Sequence, residues 1–422
     1  MSGAGSGRAA GGDAGGLPAS WSDLPFFFGE EHRVLGAELD AKVVARDESL
    51  RDVRTVGTRL AQLGLFRLLV PGKLGGRSMG GPGVDVRALC MARERLAYIS
   101  PLADAVFAVQ GLGSHAFVLS PAAPRRADFL DEVIRGERIG AFALTEPEAG
   151  SDVASMKATA KRTANGWLLN GEKVFISNVG IATHFIVFAH AEVSSQALSP
   201  STLPSIRPSQ LPAPKRTVSA FLVPSDAPGL GLEPMETCGD HPVGRVVMQD
   251  CEVAADGLID EVGNGMRLAL GTLDVFRTSV GAAAVGMARR ALDETLHHVQ
   301  NRVQFGQKLA SFQLTQAALA DMATELDAAR LLVFRAAWMK DQGHKARTEV
   351  AMAKLHATEV AQRVIDRAVQ LHGGLGVAIG SVVEKLYREI RPLRIYEGTS
   401  EIQKLIIGAS LTQAEPGRGT SA

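Results

Sequence analysis

Hydrophobic positions in the first part of the chain repeat with the period of a helix. From about residue 31 to residue 130, apolar side chains recur three and four positions apart, most clearly over residues 53–66 and 86–99. That spacing places them along one face of an α-helix, where they can pack against a core. The pattern therefore predicts a helical region here.

The period changes in the middle of the chain, where short β-branched and aromatic runs are bounded by Gly, Asn, Asp and Pro. Such runs are typical of strands, and they occupy residues 167–169, 174–176, 185–188, 218–223 and 246–248. The turn dipeptides Asn165-Gly166 and Asn170-Gly171 predict a hairpin at this place. We therefore expect a small sheet domain.

Helical periodicity returns after about residue 266, in the stretches 278–301, 312–342, 347–371 and 402–411. Long helices joined by short connections indicate a bundle. The patterns together predict an α+β fold that is mostly α. Its expected parts are a helical domain (26–138), a β domain (139–258) and a helical bundle (259–412).

Three segments fall outside this periodicity. Residues 1–25 are rich in Gly, Ala and Ser, and residues 413–422 are short and polar, so we expect both to be tails. Residues 193–214 are dense in Ser and Pro and interrupt the strand pattern. They predict an exposed loop within the β domain.

Composition narrows the class of protein. The 422 residues are 46% hydrophobic, which is enough for a large core. Because 45 basic side chains balance 45 acidic ones, the net charge gives no indication of a nucleic acid partner. No apolar run approaches the roughly 20 residues of a membrane helix. Cys90, Cys238 and Cys251 lack metal-site spacing and are expected to be free thiols in a reducing cytoplasm.

The most informative segment covers residues 143–152, which have the sequence ALTEPEAGSD. Two hydroxyls, on Thr145 and Ser151, share a loop with a proline that fixes one turn and with Gly150, which permits close approach. Such a loop can hydrogen-bond the polar edge of a planar ring. These ten residues resemble a fingerprint of the acyl-CoA dehydrogenase family.

The resemblance extends from about residue 31 to residue 409. It implies the family fold, with an N-terminal helical domain, a middle β domain and a C-terminal four-helix bundle. It also implies that FAD lies between the last two domains and that another subunit supplies part of the site. The expected assembly is therefore a homotetramer or a homodimer.

Several segments match the family's cofactor positions. Phe175-Ile176-Ser177 stands where Trp-Ile-Thr is usual, and Gln370 opens a second fingerprint, QLHGGLG. Arg302 resembles an arginine that reaches the pyrophosphate of a neighbouring subunit, a task that suits its planar fork. The implied FAD contacts are Phe142, Leu144, Thr145, Gly150, Ser151, Phe175, Ser177, Arg302, Gln304, Phe305, Gln313, Gln370, Gly373, Gly374, Thr399 and Glu401.

Glu397, in the sequence Tyr396-Glu397-Gly398, is the implied catalytic base. Dehydrogenation of an acyl-CoA removes a proton from Cα and a hydride from Cβ, and a desolvated glutamate is a suitable base. Ser400-x-x-Gln403 resembles a capping box, whose helix N-terminus would oppose a rise in the pKa of Glu397.

Some family members carry the base on another helix, immediately before an arginine. In this chain Phe276 precedes Arg277, and a phenyl ring cannot accept a proton. The resemblance is therefore to the short- and medium-chain types. The implied substrate contacts are Ser151, Asp274, Arg277 and Gly398.

The expected function is FAD-dependent conversion of an acyl-CoA to the trans-2-enoyl-CoA, in fatty acid metabolism such as β-oxidation. Electrons would pass to an electron-transferring flavoprotein. The open alternatives on this fold are an acyl-CoA oxidase, a flavin monooxygenase, a carrier-protein thioester dehydrogenase and a non-catalytic flavoprotein. His297, His298 and His372 form no ligand constellation, so no metal is expected.

Overall fold

The computed structural model describes residues 24–192 and 217–412. The predicted loop 193–214, the predicted tail 413–422 and residues 1–23 of the predicted N-terminal tail lie outside the described residues. Within the described ranges the chain is α+β and mostly helical, as expected. The exact domain boundaries stay predictions.

Within the described residues six α-helices precede the sheet, and α3 spans the predicted residues 86–99. Ser100 separates two of them: its hydroxyl accepts from the Ala103 N–H (3.2 Å), capping the following helix, and donates to the Leu50 carbonyl (2.7 Å). The helices are α1 (Glu30–Lys42), α2 (Val56–Gln62), α3 (Val86–Ile99), α4 (Pro101–Leu112), α5 (His115–Leu119) and α6 (Arg126–Arg135).

The N-terminus of α3 is capped from two directions. Asp85 accepts from the Ala88 N–H (2.8 Å), and Asp341, far along the chain, accepts from the N–H groups of Val86 (2.7 Å) and Arg87 (3.1 Å). His32, Asp85 and Asp341 are close enough to hold a metal ion. The two carboxylates cap α3, however, and His32 Nε2 lies 3.1 Å from Asp85 Oδ1, so the group ties the first helices to the bundle.

Eight of the described strands form one sheet, in the order β6-β7-β3-β2-β4-β5-β8, with β1 paired to β4. The β1–β4 and β2–β4 pairs are parallel and the others antiparallel. The strands are β1 (Gly140–Ala143), β2 (Thr159–Arg162), β3 (Gly166–Ser177), β4 (His184–Glu192), β5 (Thr217–Pro224), β6 (Leu230–Met235), β7 (Val243–Ala254) and β8 (Leu258–Ile259).

Only one of the two predicted turn dipeptides makes a turn. Asn165-Gly166 joins β2 to β3, and the Thr163 N–H donates a hydrogen bond to the Gly166 carbonyl (2.9 Å) across this turn. Asn170-Gly171 instead lies inside β3, at a register shift against β7. Gly171 has φ +136°, and a Cβ there would lie 2.8 Å from the Ala158 Cα. The dipeptide therefore forms a bulge, because the neighbouring strands continue the ladder past it.

Five helices follow the sheet. The first begins at Gly265, well before the predicted residue 278, because its early turns bury Leu268 and Ala269. Periodicity missed α10, a short helix capped by the Ser381 hydroxyl. The helices are α7 (Gly265–Asn301), α8 (Gln313–Asp341), α9 (Arg347–His372), α10 (Val382–Ile390) and α11 (Ser400–Thr412); a hairpin of β9 (Val303–Gln304) and β10 (Gln307–Lys308) joins α7 to α8.

Helix α7 is the centre of the helical core and packs against α3, α8 and α9. Small residues permit close contact: a Cβ on Gly286 would lie 2.2 Å from the Glu94 carbonyl oxygen of α3. Phe276 is fully buried, and its ring fills the space beside Gly111 of α4. The sheet has a second core of its own.

Two helical stretches, Pro101–Leu119 and Gly265–Asn301, are long and apolar enough to cross a membrane by length and composition alone. Their most apolar windows are 83% and 67% buried inside the protein, as in core helices. The absence of a membrane span, the absence of a nucleic acid partner and the cytoplasmic location stay predictions. Cys90, Cys238 and Cys251 are all free thiols, as expected.

A buried ion pair fastens the fingerprint loop to the sheet. Lys173 of β3 is fully buried, and its Nζ lies 2.8 Å from Glu146 Oε1 and 3.1 Å from the Leu144 carbonyl. Glu146 also accepts from the N–H groups of Lys157 (2.5 Å) and Ala158 (3.0 Å). The loop therefore depends on one carboxylate.

We expect Glu146→Ala to lower the free energy of unfolding by about 3–5 kcal/mol, because it leaves Lys173 buried without its carboxylate. Glu148→Ala is the matched control, since its ion pair with Lys157 is exposed and should contribute little. Urea unfolding followed by fluorescence measures both. Equal losses for the two variants would contradict this assignment.

Candidate active site

One cleft, of about 1100 Å³ when the solvent space at its open mouth is included, lies where the N-terminal helices, the sheet and the bundle meet. We call its three sides the sheet wall, the helical wall and the turn wall. The sheet wall consists of Phe142, Leu144, Thr145, Gly150, Val153, Phe175, Ile176 and Ser177. The helical wall consists of Arg93, Pro101, Asp104, Ala105, Ala108, Val109, Leu112, Leu273 and Met287. The turn wall consists of Glu389, Pro392, Leu393, Tyr396, Glu397 and Gly398.

The sheet wall presents an aromatic ring to the cleft. Phe175 is 63% exposed and has φ +57°, at a register shift between Lys173 and Ile176. A left-handed aromatic residue is uncommon and costs backbone strain. Next to it, the Ser177 hydroxyl hydrogen-bonds His241 Nε2 (3.3 Å). The bulge thus turns an apolar ring out of a strand whose other side chains are largely covered.

Two consecutive left-handed residues form the turn wall at Glu397 (φ +52°) and Gly398 (φ +94°). Three side chains hold their carbonyl groups. Arg277 Nε donates to the Glu397 carbonyl (3.0 Å), while Lys354 Nζ and Gln403 Nε2 each donate to the Gly398 carbonyl (2.8 Å). Donors from α7, α9 and α11 therefore fix a turn that a free chain would rarely adopt.

The expected capping box is wrong. Helix α11 begins at Ser400, so the N-cap position falls on Thr399, whose hydroxyl accepts from the Ile402 N–H (3.3 Å). The Ser400 hydroxyl donates to Glu359 (2.6 Å) instead. Gln403 does not reach back to the helix start, because its amide is held by the Gly398 carbonyl.

The Glu397 carboxylate faces the cleft and lacks a neutralising contact within the described part of the chain. Its Oε2 is buried and has no hydrogen-bond partner among the described residues. Burial raises the pKa of Glu397 above the ordinary glutamate value, although the nearby cations Arg93, Arg277 and Lys354 act to lower it. Burial also lowers the pKa of Lys354 to about 8. Desolvation thus outweighs the cations, and the carboxylate can hold a proton more readily than an exposed one.

Comparisons with known proteins agree with this geometry. Residues 141–251 match the middle domain of acyl-CoA dehydrogenases, and residues 263–412 match their C-terminal domain. The chain belongs to the acyl-CoA dehydrogenase family. Members of this family are FAD-dependent oxidoreductases, and this chain is therefore an enzyme of that class.

Individual relatives cover most of the chain. The human mitochondrial short-chain specific acyl-CoA dehydrogenase is 33% identical over 84% of this chain and 82% of its own length. The caffeyl-CoA reductase-Etf complex subunit CarC of Acetobacterium woodii is 33% identical over 84% of this chain and 88% of its own length. The structure of butyryl-CoA dehydrogenase from Megasphaera elsdenii superimposes with TM-score 0.80 and 29% identity, covering 92% of this chain and 99% of that one.

The cleft of this acyl-CoA dehydrogenase fits a flavin ring on its sheet wall. An exposed phenyl ring at Phe175 offers an apolar face, and the hydroxyls of Thr145 and Ser177 lie on the same wall. A Cβ on Gly150 would meet no atom within 4 Å, so this part of the loop is open to a ligand. Phe142 and Leu144 complete the wall with apolar side chains.

The other expected FAD contacts lie elsewhere in the dehydrogenase. None of them lines the cleft. Most lie at the end of the bundle where the last turns of α7 and α9 meet, marked by the stacked rings of His298 and His372 (4.4 Å between centroids). We call this region the bundle end. These bundle-end residues are all exposed: Arg302, Gln304, Phe305, Gln313, Gln370, Gly373 and Gly374. Within one chain, the structure does not bring the two groups together.

Six further predicted FAD or substrate contacts differ in where the structure places them. Ser151 and Glu401 are exposed and do not line the cleft, and Thr399 caps α11. Asp274 forms an ion pair with Lys340 of α8. Gly398 lines the cleft. Arg277 does not line it but donates to the neighbouring Glu397 carbonyl.

Sequence reasoning missed three charged residues around Glu397: Arg93, Asp104 and Lys354. Each lies on the buried stripe of its helix, and all three are at most 1% exposed. Lys354, for example, stands among the buried residues Ala353 and Ala357 of α9. A charged residue in the apolar register of a helix was the available signal, because such residues are seldom buried without a partner.

Proposed function

We propose that this enzyme dehydrogenates an acyl-CoA thioester to the trans-2-enoyl-CoA, with Glu397 as the base. The observation that carries the proposal is the buried, unpartnered Glu397 Oε2 in a cleft whose sheet wall offers Phe175 as a flavin platform. Named relatives that act on acyl thioesters support the substrate class.

In the proposed reaction Glu397 takes the proton from the substrate Cα. FAD, when bound, accepts the hydride that leaves Cβ. Thr145, Phe175 and Ser177 would hold the flavin ring, and Arg277, Lys354 and Gln403 keep the base in place through the turn carbonyls. The apolar helical wall excludes water, so the carboxylate meets the weakly acidic Cα–H without a hydration shell.

A second candidate is the reverse reaction, reduction of an enoyl-CoA. A relative named as a caffeyl-CoA reductase subunit favours it. The same residues serve both directions, because a protonated Glu397 returns its proton to Cα. The raised pKa of Glu397 assists that role, since the carboxyl holds a proton at higher pH than an exposed glutamate.

We also propose an electron-transferring flavoprotein as redox partner, supported by the relative that is named as part of an Etf complex. The acyl-CoA oxidase alternative differs in one observable. Air should reoxidise the reduced protein slowly compared with an electron-transferring flavoprotein. Fast air reoxidation with peroxide formation would favour the oxidase.

We expect Glu397→Gln to bind FAD and acyl-CoA but to lose flavin reduction by about 10²–10⁴-fold, because the amide keeps the shape without the basicity. Anaerobic stopped-flow bleaching of the flavin measures the rate. Glu325→Gln, on α8 and outside the cleft, is the control and should reduce normally. A Glu397→Gln rate equal to that of the unaltered protein would remove Glu397 from the mechanism.

The acid limb of the pH–rate profile should move to higher pH in Lys354→Met. Glu397 must be ionised to accept a proton, and the Lys354 cation lowers the pKa of Glu397, so its removal raises that pKa further. The profile of kcat/KM against pH measures the shift. Lys404→Met, whose side chain is exposed on α11, should leave the limb in place, and a shift toward lower pH in Lys354→Met would contradict the electrostatic role.

We further propose that two or four copies assemble through the bundle end, which would bring the exposed FAD-contact residues to a partner's cleft. Apolar side chains exposed there support this, with Phe305 and Ile379 each 93% exposed. We expect Phe305→Asp combined with Ile379→Lys to reduce the mass in light scattering and to weaken FAD retention. Val34→Lys on α1 is the control. A monomeric unaltered protein that retains FAD would exclude the assembly.

A further inference from the structure

The helical wall of the cleft is apolar except for one ion pair. Arg93 of α3 and Asp104 of α4 both line the cleft, and each is only 1% exposed. Their contact is bidentate, with Nε 2.8 Å from Oδ1 and Nη2 2.9 Å from Oδ2. The pair is surrounded on the same wall by Pro101, Ala105, Ala108, Leu273 and Met287.

Stability does not explain such a pair. Removing two charges from water costs about as much as their attraction returns, and well-packed apolar residues of similar volume commonly do as well or better. A cleft built for a plain alkyl chain would therefore gain by replacing both residues. The pair instead places polar atoms where the acyl group of a substrate must lie, opposite the sheet wall.

Arg93 has hydrogen-bonding capacity beyond its pair. Its Nη1 donates to the Ser279 hydroxyl (3.1 Å), so the bonds to Asp104 and Ser279 use three of the five N–H groups of a guanidinium. The Tyr396 hydroxyl engages a fourth N–H of the same guanidinium, which leaves one N–H group for a ligand. The Asp104 oxygens retain further lone pairs. A group that both donates and accepts could therefore contact the two members together.

We propose that Arg93 and Asp104 select acyl groups that carry an uncharged hydroxyl, aliphatic or phenolic, over plain alkyl acyl groups. This inference rests on the proposed acyl-CoA dehydrogenation. A hydroxyl can donate to Asp104 and accept from Arg93, whereas a methyl group covers both charges and returns no hydrogen bond.

The net charge of the site excludes a carboxylate tail. Arg93 and Asp104 cancel, and Glu389 and Glu397 add two negative charges to the same cleft. The remaining cations, Arg277 and Lys354, hold the carbonyl groups of the turn. A second carboxylate would thus meet two like charges without a free counter-charge on the helical wall.

Matched substrates test the selection. Hexanoyl-CoA is compared with ω-hydroxyhexanoyl-CoA, and phenylpropionyl-CoA with its para-hydroxyphenyl analogue, by kcat/KM for anaerobic flavin reduction. The two arms separate aliphatic from phenolic hydroxyls. We expect the hydroxyl member of at least one pair to be favoured by about tenfold or more, and Arg93→Met to bring that ratio close to one.

A second variant, Asp104→Ala, should gain the ability to bind an acyl group that ends in a carboxylate. It leaves the Arg93 cation without its carboxylate, so adipyl-CoA, whose terminal carboxylate can replace Asp104, should improve at least tenfold in KM relative to hexanoyl-CoA. Glu94→Gln is the control, because it breaks another buried ion pair of α3, with Arg330 (2.9 Å), that does not line the cleft. The thermal stability of Glu94→Gln should fall, while its hydroxyl-to-plain ratios in kcat/KM and its adipyl-to-hexanoyl ratio in KM stay unchanged.

The possible results distinguish a failure of the hydroxyl selection from a failure of the proposed dehydrogenation. Equal rates for both members of each pair in the unaltered protein would overturn the selection, and so would an Arg93→Met variant that keeps the ratio. A variant that slows all thioesters alike would show that Arg93 acts on Glu397 and not on the acyl group. If no thioester bleaches the flavin of the unaltered protein, the proposed dehydrogenation itself fails.

Discussion

The hydrogen bonds that hold the turn at Glu397 and Gly398 are the constraint on which the site depends. Both residues are left-handed, and the Glu397 side chain adds the cost of a Cβ in that region. Arg277, Lys354 and Gln403 compensate by bonding two successive carbonyl groups. Because these donors come from three different helices, the bundle must be assembled before the carboxylate can be held in the cleft.

The same donors set the electrostatics of Glu397, the proposed base. Lys354 is buried and Arg277 is partly buried, and both bond backbone oxygens, so neither neutralises the Glu397 carboxylate by direct contact. They limit the rise of its pKa without quenching its basicity. Desolvation and distant cations therefore act in opposite directions on the pKa of Glu397, and the proton exchange that we propose for this carboxyl would benefit from both.

The cleft is divided by chemistry as well as by domain. Its sheet wall depends on the buried Lys173–Glu146 pair, which fixes the fingerprint loop, and on the bulge that exposes Phe175. Its helical wall is apolar apart from Arg93 and Asp104. The sheet wall thus suits a planar ring, and on the opposite wall we propose that the Arg93–Asp104 pair discriminates among acyl groups.

Local sequence determined much of the secondary structure. Periodicity located α3, the main strands and the long helices, because hydrophobic spacing follows the helix and strand repeats directly. The motifs at residues 143–152 and 396–398 predicted Thr145 and Glu397 as site residues, and the structure places both in the cleft. Tertiary structure decided what depends on distant partners. Asn170-Gly171 became a bulge because β7 continues past it, α7 began early because its first turns are buried, and Arg93 met Asp104 only when α3 packed beside α4. A linear pattern specifies which face of an element is apolar, but the partner that a buried charge finds there is fixed only by packing.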